Sequence, residues 1–579
     1  MQSIVDPLTA AKICINFKNY GALALLILFT IIALISPKYK FLRKIEVSFN
    51  HIARQRKKAI FLVGLTAFLS TALVSYVFYW PTPTIQDEFA YLFAADTFAQ
   101  GRLTNPTHPM WIHFETFHIL QQPTYAAKYP PGQGLILAVG QILTGYPVVG
   151  LWLSIALACA VVCWMLQAWL PPRWALLGAL LMMLRLALFS YWGQSYWGGA
   201  VAVIGGALVF GAMRRILKKI ELSHVLLFGL GLAILANTRP YEGLIVGSIA
   251  SLFMFVVLIR KKTFSPKVLV QRVILPLAVV LVIVAAMMGY YNWAITGNAL
   301  YFPYRAYEAA YGSIPNFLWE KPISKVAYNH EEIRKNFQEL YFNIYKTHID
   351  SLEHYLTWCY FKLGKLWRFY LDWVFTLPLI ALVFLLKNYW VRFALFTTLL
   401  LLIAMMLVAF NFGHYAAPIT CLVYFLVLQS IRKIYFWKWK KRPLGQVTSW
   451  AIPCYCISII ILPIILGSDP FFYVNPSPWE LPRTMPDRWS LKRGTLLSAL
   501  NKEEGKHLII VRYLPGHNIE YEWVYNEANI DNAKVVWARD MSLDQNCQLM
   551  KYFYDRKVWI LEVDDKTRND KFYTITSCK

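Results

Sequence analysis

Two carboxylates stand side by side in Pro83-Thr84-Ile85-Gln86-Asp87-Glu88-Phe89-Ala90-Tyr91, directly after a long apolar run. Such a pair admits two readings. One is a general base that takes the proton of an attacking hydroxyl, with its neighbour binding a metal or orienting the substrate. The other is a helix N-terminus, where negative side chains are favoured by the macrodipole. Further along the same segment, Lys128-Tyr129-Pro130-Pro131-Gly132 sets a lysine beside a rigid Pro-Pro turn. A cation there suits a phosphate at headgroup level, or its ammonium simply snorkels to an interface. Arg185 lies within an apolar run about one turn from its end, where an ionisable side chain is costly and a functional candidate by default. Arg239 sits where two apolar runs break at Pro240. Arg305 belongs to Tyr301-Phe302-Pro303-Tyr304-Arg305-Ala306-Tyr307, whose aromatic rings suit stacking on a sugar or lipid, or an interfacial belt. His414-Tyr415 follows Asn411-Phe412-Gly413, and phosphate contact and a plain interfacial position both fit it. His113, Glu115 and His118, with His108 nearby, are ligand types for a divalent metal. On a helix His113 and His118 would not share a face, so substrate contact or an ordinary polar surface competes, and the need for a metal stays unknown.

The elements that position these residues are membrane helices. Of the 579 residues 58% are hydrophobic and 15% charged, where a soluble chain carries about 25% charged. Apolar runs of about 17–22 residues recur, long enough to cross a hydrocarbon core of roughly 30 Å. The net charge of +25 gathers in short loops between these runs. That is the positive-inside pattern, so nucleic acid need not be invoked. The segment with Lys38, Lys40, Arg43, Lys44, Arg54, Arg56, Lys57 and Lys58 has Glu46 as its single acid and is assigned to the cytoplasm. With that anchor, 81–147 and 292–370 lie outside, and every basic cluster falls inside, provided the short apolar stretch 132–144 rests on the outer surface as an interfacial helix. The expected spans are an N-terminal run near Tyr20, then 59–80, 148–170, 174–190, 197–213, 225–238, 241–259, 273–291, 371–386, 392–410, 416–430 and 450–467. No cleavable signal peptide is expected at the start.

The tail differs. Segments 507–511, 533–537 and 557–561 read as strands, with a helical pattern at 544–555 before the last. The fold class is therefore an α-helical polytopic membrane protein of about twelve transmembrane helices with a small C-terminal α/β extracytoplasmic domain. The boundaries are 1–58 for the first helix and basic loop, 59–467 for the transmembrane core, and 468–579 for the α/β domain. On the outer side Cys547 and Cys578 are candidates for a disulfide.

Asp-Glu after a membrane helix, followed by Lys-x-Pro-Pro before an interfacial helix, resembles the glycosyltransferase C superfamily. That superfamily includes the lipid A aminoarabinose transferase and the protein O-mannosyltransferases. Tyr191-Trp192-Gly193-Gln194-Ser195-Tyr196-Trp197-Gly198-Gly199 and Asn237-Thr238-Arg239-Pro240-Tyr241-Glu242-Gly243 resemble a bacterial branch of it, mostly of unassigned substrate. The resemblance covers roughly 59–430. It implies a polyprenyl-phosphate sugar donor, inversion at the anomeric carbon, and an acidic base in the first external loop, which Asp87 matches with Glu88 beside it. Lys128 matches the position near the donor phosphate, with Arg239, Arg305 and Arg185 as further candidate cations on that side. Tyr129, Tyr196, Glu242, His414 and Tyr415 are candidate substrate contacts. Relatives often carry a second acid in the next external loop. Here that loop has none, and Glu242 in the following turn is the candidate substitute.

The expected activity is transfer to an envelope glycolipid, polysaccharide or protein on the periplasmic side of a bacterial inner membrane. The alternatives are a transporter or flippase of lipid-linked sugars, which would show repeated halves, and a ligase moving a polymer from a pyrophosphate lipid. No phosphate-binding Gly-x-x-x-x-Gly-Lys-Ser/Thr loop occurs, which disfavours an ATP-driven pump.

Overall fold

A computed structural model describes residues 7–35, 40–78, 80–260, 265–312, 314–322, 327–440, 442–474, 489–567 and 569–575. Cys578 lies outside them, and with it the expected disulfide. Among the described residues eight helical stretches are long and apolar enough to cross a membrane: Thr9–Ile32, Arg56–Val77, Pro147–Trp169, Pro240–Arg260, Pro266–Thr296, Tyr389–Met406, Gly413–Tyr435 and Leu444–Ile465. A ninth candidate is the pair Leu352–Tyr370 and Asp372–Leu385, bent by 93°.

This is fewer than the twelve read from hydropathy. Three expected spans form shorter helices, Pro172–Met182, Ala200–Ile216 and Leu222–Ala236. The last has 15 residues, about 22 Å at the helical rise. Ala200–Ile216 is buried along almost its whole length. Apolar character marks burial against protein as readily as burial in lipid, so hydropathy counts both kinds of helix together.

Stretch 132–144 forms one helix, Gly132–Thr144. Leu135, Val139, Ile142 and Leu143 are exposed along it; their spacing of four, three and one places them on one stripe. Its other face packs on the helices Gln86–Ala99 and Pro147–Trp169. The second contact needs glycine on both sides, since a Cβ on Gly140 would lie 2.1 Å from the amide nitrogen of Gly150.

The two expected external segments are largely structured. The first holds the helix Gln86–Ala99 and a short hairpin of β1 (Ile119–Leu120) and β2 (Ala126–Ala127). The second runs through the helix Pro303–Tyr311, a continuous helical stretch from Glu331 to Ile349, and Leu352–Tyr370. Pro303 stands at the start of its helix, where its missing N–H costs nothing. Ser351 caps the last by accepting the His354 amide.

After the helix Trp489–Lys502, four strands form one sheet in the order β4-β3-β5-β6: β3 (Lys506–Tyr513), β4 (Val535–Arg539), β5 (Arg556–Val563) and β6 (Lys571–Ile575). β3 runs parallel to β4 and β5, and β6 closes the edge antiparallel. Central β3 is covered on both faces, which explains its unbroken run Leu508-Ile509-Ile510-Val511. The helix Leu543–Tyr552 connects β4 to β5 and starts on a Ser542–Gln545 capping box. The edge strand β6 is mostly exposed and lacks a long apolar run, so it left little trace in the sequence.

This unit is tied to segment 81–147. Phe89 stacks on Tyr525 at 4.1 Å. The Ala528 amide donates to Asp96 Oδ2 at 2.7 Å. Buried Arg539 donates through Nε to the Glu115 carbonyl at 2.7 Å and pairs with Glu522.

Candidate functional site

The helix Gln86–Ala99 begins where Pro81 and Pro83 keep the preceding chain extended. Glu88, in its first turn, reaches back: Oε2 accepts the amides of Thr84 at 2.7 Å and Ile85 at 3.1 Å. Its Oε1 accepts the Tyr196 amide at 2.9 Å, fastening the 195–197 loop to this helix. The Glu88 carboxylate is thus committed to backbone. A helix turns about 100° per residue, so Asp87 points elsewhere, into a cavity of about 930 Å³.

Asp87 is held there. The Tyr129 hydroxyl donates to its Oδ1, and His118 Nε2 lies 3.7 Å from its Oδ2. The Tyr129 ring is fixed by stacking on Tyr91, with centroids 4.7 Å apart. Lys128 sits among three rings, its Nζ 5.0 Å from the centroid of Tyr129 and 4.8 Å from those of Tyr304 and Tyr307. This placement is local in origin. The β1–β2 hairpin presents Lys128, whose amide donates to the His118 carbonyl, and Pro130-Pro131 then turns the chain into the next helix. There the Gly132 amide donates to the Asn237 carbonyl at 2.8 Å. Only glycine fits, because a Cβ would lie 2.4 Å from Thr238 Cγ2. The Lys-Tyr-Pro-Pro-Gly and Asn-Thr-Arg-Pro motifs, far apart in sequence, are therefore in direct contact.

Electrostatics follow from burial. Desolvation pushes the Lys128 ammonium down to about 8, opposed by Asp87 and Glu308. Desolvation, with Lys128 nearby, pushes the His118 imidazole down to about 3, so it is neutral at physiological pH. Its Nδ1 is buried with no hydrogen-bond partner among the described residues. Burial raises the Glu308 carboxyl. The arrangement is a carboxylate in the cavity wall, one oxygen accepting from Tyr129 and the other 3.7 Å from the neutral His118 ring, next to a partly desolvated cation.

The cavity wall includes Asp87, His118, Lys128, Tyr129 and Tyr415 from the candidates read in the sequence. Others lie elsewhere. Arg239 stacks on Tyr415 at 4.3 Å, behind the wall, with Glu242 buried one turn on. Arg305 does not line the cavity; its guanidinium is paired with Glu308, which does, at 3.0 Å and with Glu320 at 2.5 Å. Arg185 is fully buried in a π-helical turn; its guanidinium is 3.6 Å from Asp372 and donates to the Val474 carbonyl at 3.2 Å. It staples the 93° helix break rather than reaching the cavity. Tyr196 donates its hydroxyl to the Pro81 carbonyl at 3.2 Å. His414 pairs with the Tyr191 hydroxyl at 3.1 Å through Nδ1.

The metal candidates do not converge. His113 Nδ1 faces the Arg539 carbonyl at 3.1 Å. Glu115 accepts from the Tyr311 hydroxyl and the Asn329 amide, each at 2.8 Å. His118 faces Asp87. Among the described residues no three His, Cys, Asp or Glu side chains form a metal-ligand set. Their short spacing in sequence does not bring them together, because the 3-10 turn Trp111–Phe114 separates His113 from Glu115 and His118, and each of the three has other partners.

Of the other wall residues, Tyr304 and Tyr307 were read from sequence only as part of an aromatic stretch, and Gln86, Lys492, Glu520 and Tyr521 were not singled out. Tyr304 and Tyr307 had a signal, since three residues apart on a helix they share a face. The others carry no local signature.

No protein-family profile and no curated protein matches this sequence. Among solved structures the chain is similar to apo ArnT from Cupriavidus metallidurans, at 12% identity over 86% of this chain and 93% of that one, with a TM-score of 0.44. It is also similar to the apo oligosaccharyltransferase of Archaeoglobus fulgidus, at 12% identity over 78% of this chain and 62% of that one, with a TM-score of 0.42. The chain thus spans 62% of the length of that archaeal protein. The archaeal oligosaccharyltransferase AglB from Archaeoglobus fulgidus, in complex with an inhibitory peptide and a dolichol-phosphate, gives 12% identity over 86% of this chain and 69% of that one, with a TM-score of 0.37. Both proteins have the glycosyltransferase C fold, and the likeness is distant.

Proposed function

We propose that this chain is a membrane glycosyltransferase that moves a sugar from a polyprenyl-phosphate donor to an envelope glycolipid, polysaccharide or protein, with Asp87 as the base. One observation carries the reading. Asp87 enters a cavity of about 930 Å³ from a helix that follows the membrane helix Arg56–Val77, with Lys128 in the same wall.

The chemistry requires a base for the acceptor, positive charge for the leaving phosphate, and room for the sugar. With Oδ1 engaged by Tyr129, Asp87 takes the acceptor hydroxyl's proton on Oδ2. The acceptor oxygen bonds to the anomeric carbon as the bond to phosphate breaks. Lys128, steadied by three tyrosine rings, meets the charge on the departing phosphate. Attack opposite the leaving group inverts the anomeric centre. The basic loops argue that this cavity and the C-terminal unit lie on the side away from the cytoplasm, which is the periplasm in the bacterial inner membrane that the family resemblance implies. No metal enters this account.

The test uses purified full-length protein and a panel of radiolabelled polyprenyl-phosphate sugars. Wild type is expected to release sugar from one donor, and Asp87→Asn to lose about 10²–10⁴-fold in rate. Full turnover by a folded Asp87→Asn variant would remove Asp87 from this role.

A further inference from the structure

Gln86 is 5% exposed and lines the cavity, yet neither its amide oxygen nor its amide nitrogen has a hydrogen-bond partner among the described residues. A buried amide left wholly unsatisfied is costly and calls for an explanation. A ligand that both donates and accepts would supply one.

The surroundings indicate which ligand. Gln86 lies three residues before Phe89, on the same helix face, and that face turns toward the C-terminal unit. Phe89 stacks on Trp489 at 5.9 Å, and Trp489 on Tyr521 at 5.7 Å. Tyr521 and its neighbour Glu520 line the cavity. The Glu520 carboxylate has no hydrogen-bond or ion-pair partner among the described residues. Tyr341, on the facing wall, feels the charges of both Glu520 and Asp87, which places the two carboxylates around one chamber. Asp565 and Asp570 add to this side, the latter paired with Lys492 at 3.0 Å. The wall thus offers an amide, an uncommitted carboxylate and an aromatic ring in an excess of negative charge. It differs from the Lys128 side, where a cation awaits a phosphate.

We infer that this wall is a separate acceptor subsite, and that it takes an uncharged, hydroxyl-rich saccharide ring. Gln86 and Glu520 hydrogen-bond to its hydroxyls, and Tyr521 packs on its face. A hydroxyl gives one proton and accepts others, so neighbouring hydroxyls match an amide that donates and accepts and a carboxylate that only accepts. The apolar face of a sugar ring suits an aromatic surface. Uronic or phosphorylated sugars are repelled by Glu520, Asp565 and Asp570. The volume, about 930 Å³, lies near the upper end of the roughly 300–1,000 Å³ usual for ligand pockets, leaving room for more than one ring. The subsite also supplies, from the C-terminal unit, a cavity carboxylate where the loop at 191–196 has none. This inference rests on reading the cavity as a glycosyl-transfer site.

The test is a saturation-transfer NMR titration of purified full-length protein with a panel of neutral methyl disaccharides and, as the anionic counterpart, digalacturonate. Wild type, Gln86→Leu and Glu520→Gln are compared. At least one neutral disaccharide is expected to bind, digalacturonate at least about tenfold more weakly, and each variant to weaken the neutral sugar about tenfold, the loss of one hydrogen-bonding group. Glu520→Gln is isosteric and on a part-exposed turn, so it decides the matter should Gln86→Leu not fold. Equal affinity in wild type and the folded variants, a preference for digalacturonate, or no neutral binder at all would each overturn the subsite. Failure of the broader reading is seen separately, as transfer retained by Asp87→Asn or absent with every lipid-linked donor.

Discussion

Lys128 is a charge held where the fold would be more stable without it. Burial lowers its ammonium from the ordinary 10.5 to about 8, even with Asp87 and Glu308 opposing. At about 1.4 kcal/mol for each tenfold change in proton affinity, carrying that charge in the folded state costs about 3 kcal/mol. Between about pH 8 and pH 10.5 the unfolded chain binds this proton and the folded chain does not, so the wild type gains stability as pH rises through that window. Below it the whole penalty applies. Methionine has similar reach and no charge, and Lys128 has no carboxylate within ion-pair distance among the described residues, so an apolar side chain there avoids the cost of desolvating an unpaired charge. Lys128→Met is therefore expected to melt at a higher temperature than wild type at pH 7, with the gap closing toward pH 10.5, while transfer from a phosphate-linked donor is lost. Wild-type transfer should itself decline as pH rises through about 8. Tryptophan-fluorescence melting in detergent from pH 7 to 10.5, with donor turnover in parallel, reads all three. A variant less stable than wild type at pH 7, or a gap that does not change with pH, would refute the burial argument.

Tyr129→Phe removes the hydroxyl that donates to Asp87 Oδ1. A hydrogen bond to a charged group contributes about 1.5–3 kcal/mol, so kcat should fall about tenfold or more with donor KM nearly unchanged; a change confined to KM would make Tyr129 a binding residue instead. Arg185→Met strands Asp372 beside a helix break, and breaking such a buried pair costs about 3–5 kcal/mol. A lower melting temperature with undiminished transfer per folded molecule is expected, and loss of transfer in folded protein would return Arg185 to the machinery. Gly140→Val forces a side chain into the Gly150 backbone, so destabilisation of about 1–3 kcal/mol or more is expected from overpacking; an unchanged melting curve would contradict the close helix contact.

Much was legible from the chain alone, because some constraints are local. Lipid demands long apolar helices, and a parallel strand covered on both faces demands an unbroken apolar run, as in Leu508-Ile509-Ile510-Val511. Asp87 and Lys128 were legible for the same reason: a charge that follows an apolar run or a Pro-Pro turn is conspicuous wherever it ends up. Tertiary structure decided how such charges are used. One residue of helical rotation turns Glu88 to the backbone amides of Thr84, Ile85 and Tyr196 while Asp87 enters the cavity. Arg185 and Arg305 read as free cations until Asp372, Glu308 and Glu320 are seen to hold them. Gln86, Glu520 and Tyr521 show nothing in the sequence, since their significance comes from meeting across more than four hundred residues of chain. Periodicity records what each residue must be buried against, water, lipid or protein; it does not record which distant residue will stand opposite, and in a low-dielectric cavity that partner determines what a charge can do.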